Sequence, residues 1–194
     1  MTKSDTLQKR RRLSPDERAA QLHEIALELF AEKGLGRVGH GDIAKRAGVS
    51  TGTVFNYFPS TESLNEMVMA FVRAKALEIF EGADFERAED ISKDQSLVLI
   101  YGQRLLELVE IQPNCLKIFL NWSHSFGEPF RQRFLAVKQN ILKHIEQNLS
   151  PRGSRDIDAK IIFGAGVLLA QMKIENAPEE ELHRFALRVA QLVG

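Results

Sequence analysis

The stretch HGDIAKRAGVSTGTVFNYF, residues 40–58, decides the fold, because it reads as a helix, a tight turn and a second short helix. Ile43, Ala44, Ala47, Val49, Val54 and Tyr57 are spaced so that two short helices bury one small core between them. Gly48 falls where the chain must turn sharply, and glycine tolerates a positive φ that other residues resist. Ser50 stands at the mouth of the second helix, where its hydroxyl can accept from free backbone N–H groups. That phase leaves Thr51, Gly52, Thr53, Phe55 and Asn56 facing outward. Such a layout implies a helix-turn-helix reader of double-stranded DNA.

The outward residues have the chemistry that base edges and phosphates need. Asn56 can hydrogen-bond adenine through two atoms at once. Thr51 and Thr53 can reach a phosphate or a thymine methyl group. Gly52 keeps the helix thin, although glycine lowers helix propensity by about 1 kcal/mol. Tyr57 can bury its ring and offer its hydroxyl to a phosphate. Phe55 has two readings: contact with thymine methyls or sugars, or packing back on the first or fourth helix. The first is favoured, because the helical phase gives the core positions to Val54 and Tyr57.

Working outward, Ser14-Pro15-Asp16-Glu17 is a capping box that should start the first helix. Leu22, Ile25, Ala26, Leu29 and Phe30 form its buried stripe, and Gly34 and Gly36 end it. Pro59 stops the third helix, and Ser60 caps a long fourth helix expected to run to about Phe80. After an acidic link, Asp84 to Asp94, apolar periodicity predicts five more helices. These are a fifth around Leu97–Leu108, a sixth over Pro113–Ser125, a seventh around Phe134–Ile145, an eighth over Ile157–Ile174 and a ninth over Glu179–Val193. No stretch reads as a strand. The expected fold is all-α with about nine helices: a polar arm at 1–13, a helix-turn-helix domain at 14–59 and a larger helical bundle at 60–194.

Composition is that of a soluble globular protein, with 44% hydrophobic and 27% charged residues. Net charge is +0, yet residues 1–60 hold ten Lys/Arg against seven Asp/Glu. The basic excess thus lies with the expected reader, as attraction to phosphate requires. The single cysteine, Cys115, cannot form an internal disulfide and suits a reducing compartment. The N-terminus lacks the apolar core of a secretory signal. The longest apolar run, Ile161 to Ala170, is about half the roughly 20 residues that span a bilayer. The expected location is cytoplasmic.

Ile43-Ala44, Ala47-Gly48-Val49-Ser50, Gly52-Thr53-Val54 and Tyr57-Phe58, with Glu62 and Leu64 downstream, give a chain that resembles the TetR family of bacterial transcriptional regulators. Further segments are similar to the quorum-sensing HapR/SmcR/LuxR subgroup of vibrios. They are Arg10-Arg11-Arg12-Leu13-Ser14-Pro15, Ile25-Ala26-Leu27-Glu28, Gly39-His40, residues 53–59, and Leu116-Lys117-Ile118-Phe119 with Asn121-Trp122-Ser123. Thr51-Gly52 and Thr61 depart from that subgroup's pattern. The resemblance implies a homodimer that activates or represses genes, an operator of paired half-sites and a helical bundle able to hold a small ligand. It also implies that Arg10 and Arg12 enter the minor groove, where negative potential is strong. For an arm beside no reader, a solvated tail would be the better reading.

One short reader makes too few contacts to select a genomic site, so two readers roughly 34–36 Å apart are expected. The dimer surface is expected on the last two helices, from Phe163, Gly166, Leu169, Leu182, Phe185 and Val189; the family resemblance implies a four-helix interface there. The aromatic residues Phe71, Tyr101, Phe119, Trp122 and Phe134 could line a cavity for a small hydrophobic ligand, although each alone is better read as core.

No Gly-rich phosphate loop, serine elbow, His–Glu metal spacing or cysteine pair is present. The histidines His23, His40, His124, His144 and His183 are scattered. An enzyme is therefore not expected, nor a metal or other cofactor. The remaining alternative is a helical ligand-binding or adaptor protein without sequence-specific DNA binding, which would need neither the arm nor the polar outward face.

Overall fold

Ser14 begins the first helix by a reciprocal pair of bonds. Its Oγ accepts from the Glu17 N–H at 3.2 Å, and the Glu17 carboxylate accepts from the Ser14 N–H at 2.7 Å. Two donors that the helix cannot satisfy internally are thereby satisfied. The computed structural model describes residues 13–81, 92–151 and 153–193. The helices are α1 (Pro15–Lys33), α2 (His40–Ala47), α3 (Thr51–Phe55), α4 (Thr61–Glu78), α5 (Lys93–Ile111), α6 (Pro113–Ser123), α7 (Phe130–Asn148), α8 (Arg155–Ile174) and α9 (Glu179–Val193). Among the described residues there are nine helices and no strand, so the fold is all-α. The acidic link lies largely outside the described residues, as does most of the arm at 1–13.

Helices α1, α2 and α3 form a head closed around Leu22, Phe30, Ile43, Val54 and Phe58, all essentially buried. In the body, α5 packs against α6, α8 and α9, while α7 lies along α8. Its most buried side chains include Leu97, Ile118, Trp122, Ile141, Ile145 and Leu182. Four more helices begin as their sequences dictate: Ser50, Ser60 and Ser92 each accept from the backbone N–H three residues on, and Pro113 opens α6.

The head is seated on the body by α1 against α6 and α4. Gly34 has φ 86° and Gly36 has φ 73°, conformations that side chains rarely adopt. Both are also covered: an added Cβ would lie 3.1 Å from the Asn121 side chain at Gly34 and 3.3 Å from the Phe130 ring at Gly36. The Trp122 Nε1–H donates to the Phe130 carbonyl at 2.8 Å, which holds the α6–α7 connection under the head. Arg133 of α7 pairs with Glu62, at 3.4 Å, and with Glu66, both on α4.

The third helix is shorter than its sequence period. It ends at Phe55, with Asn56 and Tyr57 in a turn and Phe58 buried beneath. Pro59 accounts for part of this, because a residue before proline is pushed away from helical geometry.

Candidate nucleic-acid interface

The reader is held by its turn and its cap. Gly48 takes φ 66° and ψ 38° and ends α2, with its N–H bonded to the Ala44 carbonyl. The Val49 N–H also returns to Ala44, at 3.1 Å, so α3 leaves in a fixed direction. Ser50 Oγ accepts from the Thr53 N–H at 3.1 Å and lies 2.9 Å from Thr53 Oγ1. Val54 is completely buried and anchors the inner side of α3.

Ser50, Thr51, Gly52, Phe55 and Asn56 are exposed, whereas Thr53 and Tyr57 are half-buried. Thr53 therefore presents only part of its side chain, having its hydroxyl beside Ser50. The Tyr57 hydroxyl donates to the Pro15 carbonyl at 3.3 Å, so the phenol is turned to α1 instead of to the open face. Arg10 and Arg12 lie outside the described residues.

Phe55 stays on the outward face where the helical phase puts it, and its ring meets a neighbour that the sequence reading did not name. It is 46% exposed. Its ring stacks on the imidazole of His40, with centroids 3.9 Å apart and planes 10° apart. His40 is 6% exposed, and its Nε2–H donates to the Phe58 carbonyl at 2.7 Å. Sequence reasoning passed over His40 as one of five scattered histidines. The available signal was its place beside Gly39 at the start of α2, where a side chain can lie across the turn to α3.

Charge is arranged less simply than the total suggests. Residues 1–12 hold five Lys/Arg and one Asp, whereas residues 13–60 hold five Lys/Arg against six Asp/Glu. Within the head, Arg46 pairs with Glu32 at 2.8 Å and Glu28 at 3.4 Å, and Lys33 pairs with Asp42. The Arg46 hydrogen bond holds the Glu32 carboxyl below its ordinary range, and the Lys33 hydrogen bond does the same to Asp42. Such exposed pairs add little stability. They do engage two of the five cations of residues 13–60, leaving most of the excess positive charge in the arm.

In the body, an apolar cavity of about 80 Å³ is walled by side chains of α4, α5, α6, α7, α8 and α9. Tyr101 and Phe119 line it, together with Phe80, Cys115, Phe163 and Phe185, and no charged residue does. Phe71, Trp122 and Phe134 do not line it. Phe134 and Trp122 are core instead, their rings meeting edge-on with centroids 5.9 Å apart, and Phe71 is half-buried elsewhere on α4. Burial pushes the Tyr101 phenol and the Cys115 thiol each up to about 12. Among the described residues, no group of three or more His, Cys, Asp or Glu gathers, and no helix is long and apolar enough to cross a membrane.

The residues expected at a dimer surface divide. Leu169, Leu182 and Val189 are buried within the single chain, so they serve its own core. Gly166 faces α5, where an added Cβ would lie 3.7 Å from Leu105. Phe163 and Phe185 are half-buried cavity walls. The outward apolar stripe of α8 is instead Ile157, Ile161 and Leu168, with Gly164 open between them, and α9 exposes Leu187 and Leu192.

Comparison with known proteins bears on this geometry directly. The family described as "Bacterial regulatory proteins, tetR family" matches residues 22–68, from α1 through the reader into α4. The chain is 39% identical to the HTH-type transcriptional regulator LuxR of Vibrio harveyi over 147 residues, covering 71% of this chain and 69% of that protein. The chain belongs to the TetR family. It is a DNA-binding transcriptional regulator of the LuxR subgroup, and its helix-turn-helix is the one the sequence motif announced. Solved TetR-type structures share the fold over 90% or more of the chain. A TetR-like regulator of Rhodococcus sp. RHA1 superposes with a TM-score of 0.72 at 16% identity, covering 94% of this chain and 96% of that one. FadR of Bacillus subtilis, solved in complex with stearoyl-CoA, gives 0.65 at 18% identity, covering 90% and 96%.

Proposed function

We propose that this TetR-family regulator acts in the cytoplasm as a homodimer on a pseudo-palindromic operator, each copy laying α3 in the major groove of one half-site. The observation that carries this is the exposed run Ser50, Thr51, Gly52, Phe55 and Asn56 on a helix fixed by the Gly48 turn and the Ser50 cap. Asn56 and the threonines supply base-edge and phosphate contacts. Arg10 and Arg12 supply a minor-groove contact and most of the phosphate attraction, because the head without its arm has no basic excess. Ile157, Ile161, Leu168, Leu187 and Leu192 are the face that a second copy covers, supported by their exposure on two neighbouring helices. Mobility shift of host genomic fragments tests the reading. A Phe55→Ala, Asn56→Ala chain that stays folded and binds the same fragments as tightly would refute it.

The cavity supports a second, dependent reading. Its lining takes a small uncharged apolar ligand and offers no cation for a carboxylate or phosphate. Ile79 and Phe80, just after α4, and Phe185 and Val189 of α9 are among its walls. A ligand larger than the cavity would have to move them, which couples occupancy to the spacing of the two readers. The regulator is not an enzyme in this reading. A place in quorum sensing, as the LuxR-subgroup resemblance implies, would make population-dependent genes its targets.

A further inference from the structure

We propose that His40 is a positioning residue for base readout: its imidazole is the platform that fixes the Phe55 ring so that Phe55 selects thymine by its C5-methyl group. This rests on the reading of the α3 face as the DNA-contacting surface.

Three fixed points make the platform rigid. The Asp42 carboxylate accepts from the Gly39 N–H at 2.9 Å and sets the start of α2, hence the position of His40. The His40 Nε2–H donates to the Phe58 carbonyl at 2.7 Å, which ties α2 to the end of the reader. With the imidazole buried and held at that nitrogen, its face is presented to Phe55 at 3.9 Å, nearly parallel. Stacking removes rotamer freedom that an exposed phenylalanine would otherwise lose on binding. Gly52, three residues before Phe55 on α3, adds no side chain beside the ring.

The chemistry of the groove then names the target. A phenyl ring has no hydrogen-bonding atom, and the apolar group on a base edge in the major groove is the thymine methyl. A loose ring would touch that methyl in passing. A ring held in one plane discriminates by it.

The test uses the full chain and the duplex that it selects from a randomised pool. Each thymine of a half-site is replaced in turn by deoxyuridine, which lacks only the methyl group. The expected wild-type result is a loss of about fourfold in affinity at one position, the worth of one buried methyl. His40→Gln, which keeps an N–H donor but loses the ring, is expected to bind without that discrimination. His40→Phe, which keeps the ring but loses the donor, is expected to retain it. Phe55→Ala should abolish it, and all variants should keep the wild-type salt slope. Full methyl discrimination in His40→Gln, or equal weakening of all duplexes with discrimination intact, would overturn the inference. If His40→Gln fails to fold, His40→Leu provides the same contrast with His40→Phe. If Phe55→Ala keeps both wild-type affinity and discrimination, the α3 face itself is misassigned, an outcome distinct from failure of the platform alone.

Discussion

The Tyr57 hydroxyl donates to the Pro15 carbonyl at 3.3 Å and so links the turn after the reader to the first residue of α1. The basic arm joins the chain just before that point, at Ser14. One contact therefore ties the start of α1 to the end of the face proposed to read bases.

Tyr57→Phe keeps the ring and removes the link. Its effect on stability should be small, about 0.5–1.5 kcal/mol for one hydrogen bond. Operator affinity should fall by a few-fold in the full chain. The same substitution in a chain lacking residues 1–12 should change affinity little, because nothing remains to be aimed. A double-mutant cycle measured by fluorescence anisotropy reads the coupling, and strictly additive effects would show that the link does not serve the arm.

Deleting residues 1–12 should lower affinity at every sequence and flatten its salt dependence. Log affinity against log salt should lose about 0.9 in slope for each phosphate contact removed. The deletion takes away five of the ten cations of the first 60 residues and only one acid. An unchanged slope would place the phosphate contacts elsewhere in the head.

Ser50→Ala removes a cap from a helix only five residues long. The expected cost is about 1 kcal/mol in urea denaturation, with a larger loss in DNA binding because the exposed N-terminal turn of α3 frays first. Ser50→Asn should restore the stability. If Ser50→Ala unfolds at the wild-type urea concentration, the hydroxyl does not cap.

Much of this was legible because it is local. The Ser14 box and the Gly48 turn involve neighbours in sequence, and the helix starts at Ser60 and Pro113 follow from cap chemistry alone. What escaped depends on surfaces that meet in space. His40 and Phe55 are 15 positions apart, and no periodicity links them. Helices α8 and α9 are apolar on more than one side, so spacing could not separate Leu169, which faces inward, from Leu168, which faces out. The cavity likewise depends on where six helices leave a gap, and aromatic content does not reveal it.

That distinction carries its own expectation. Leu168→Glu places a charge on the exposed stripe of α8 and should yield a folded monomer with much weakened operator binding, measured by analytical ultracentrifugation. Leu169→Glu buries the charge and should unfold the chain. A Leu168→Glu chain that still sediments as the wild type would move the interface off this face.

Cys115 offers a simple probe of the cavity. Burial pushes its thiol up to about 12, so almost none is thiolate at pH 8. A thiol reagent should react slowly with the native protein at pH 8 and rapidly once it is denatured in urea. An apolar ligand filling the cavity should slow the native reaction further. Fast native labelling would mean that the body opens readily.

Hydroxyl-radical footprinting on a duplex selected by the full chain measures the paired reader most directly. The expected result is two protected patches on one face of the helix, with centres one turn or roughly 34–36 Å apart, that vanish together in Phe55→Ala, Asn56→Ala. A single patch, or two patches that persist unchanged in that folded variant, would contradict it.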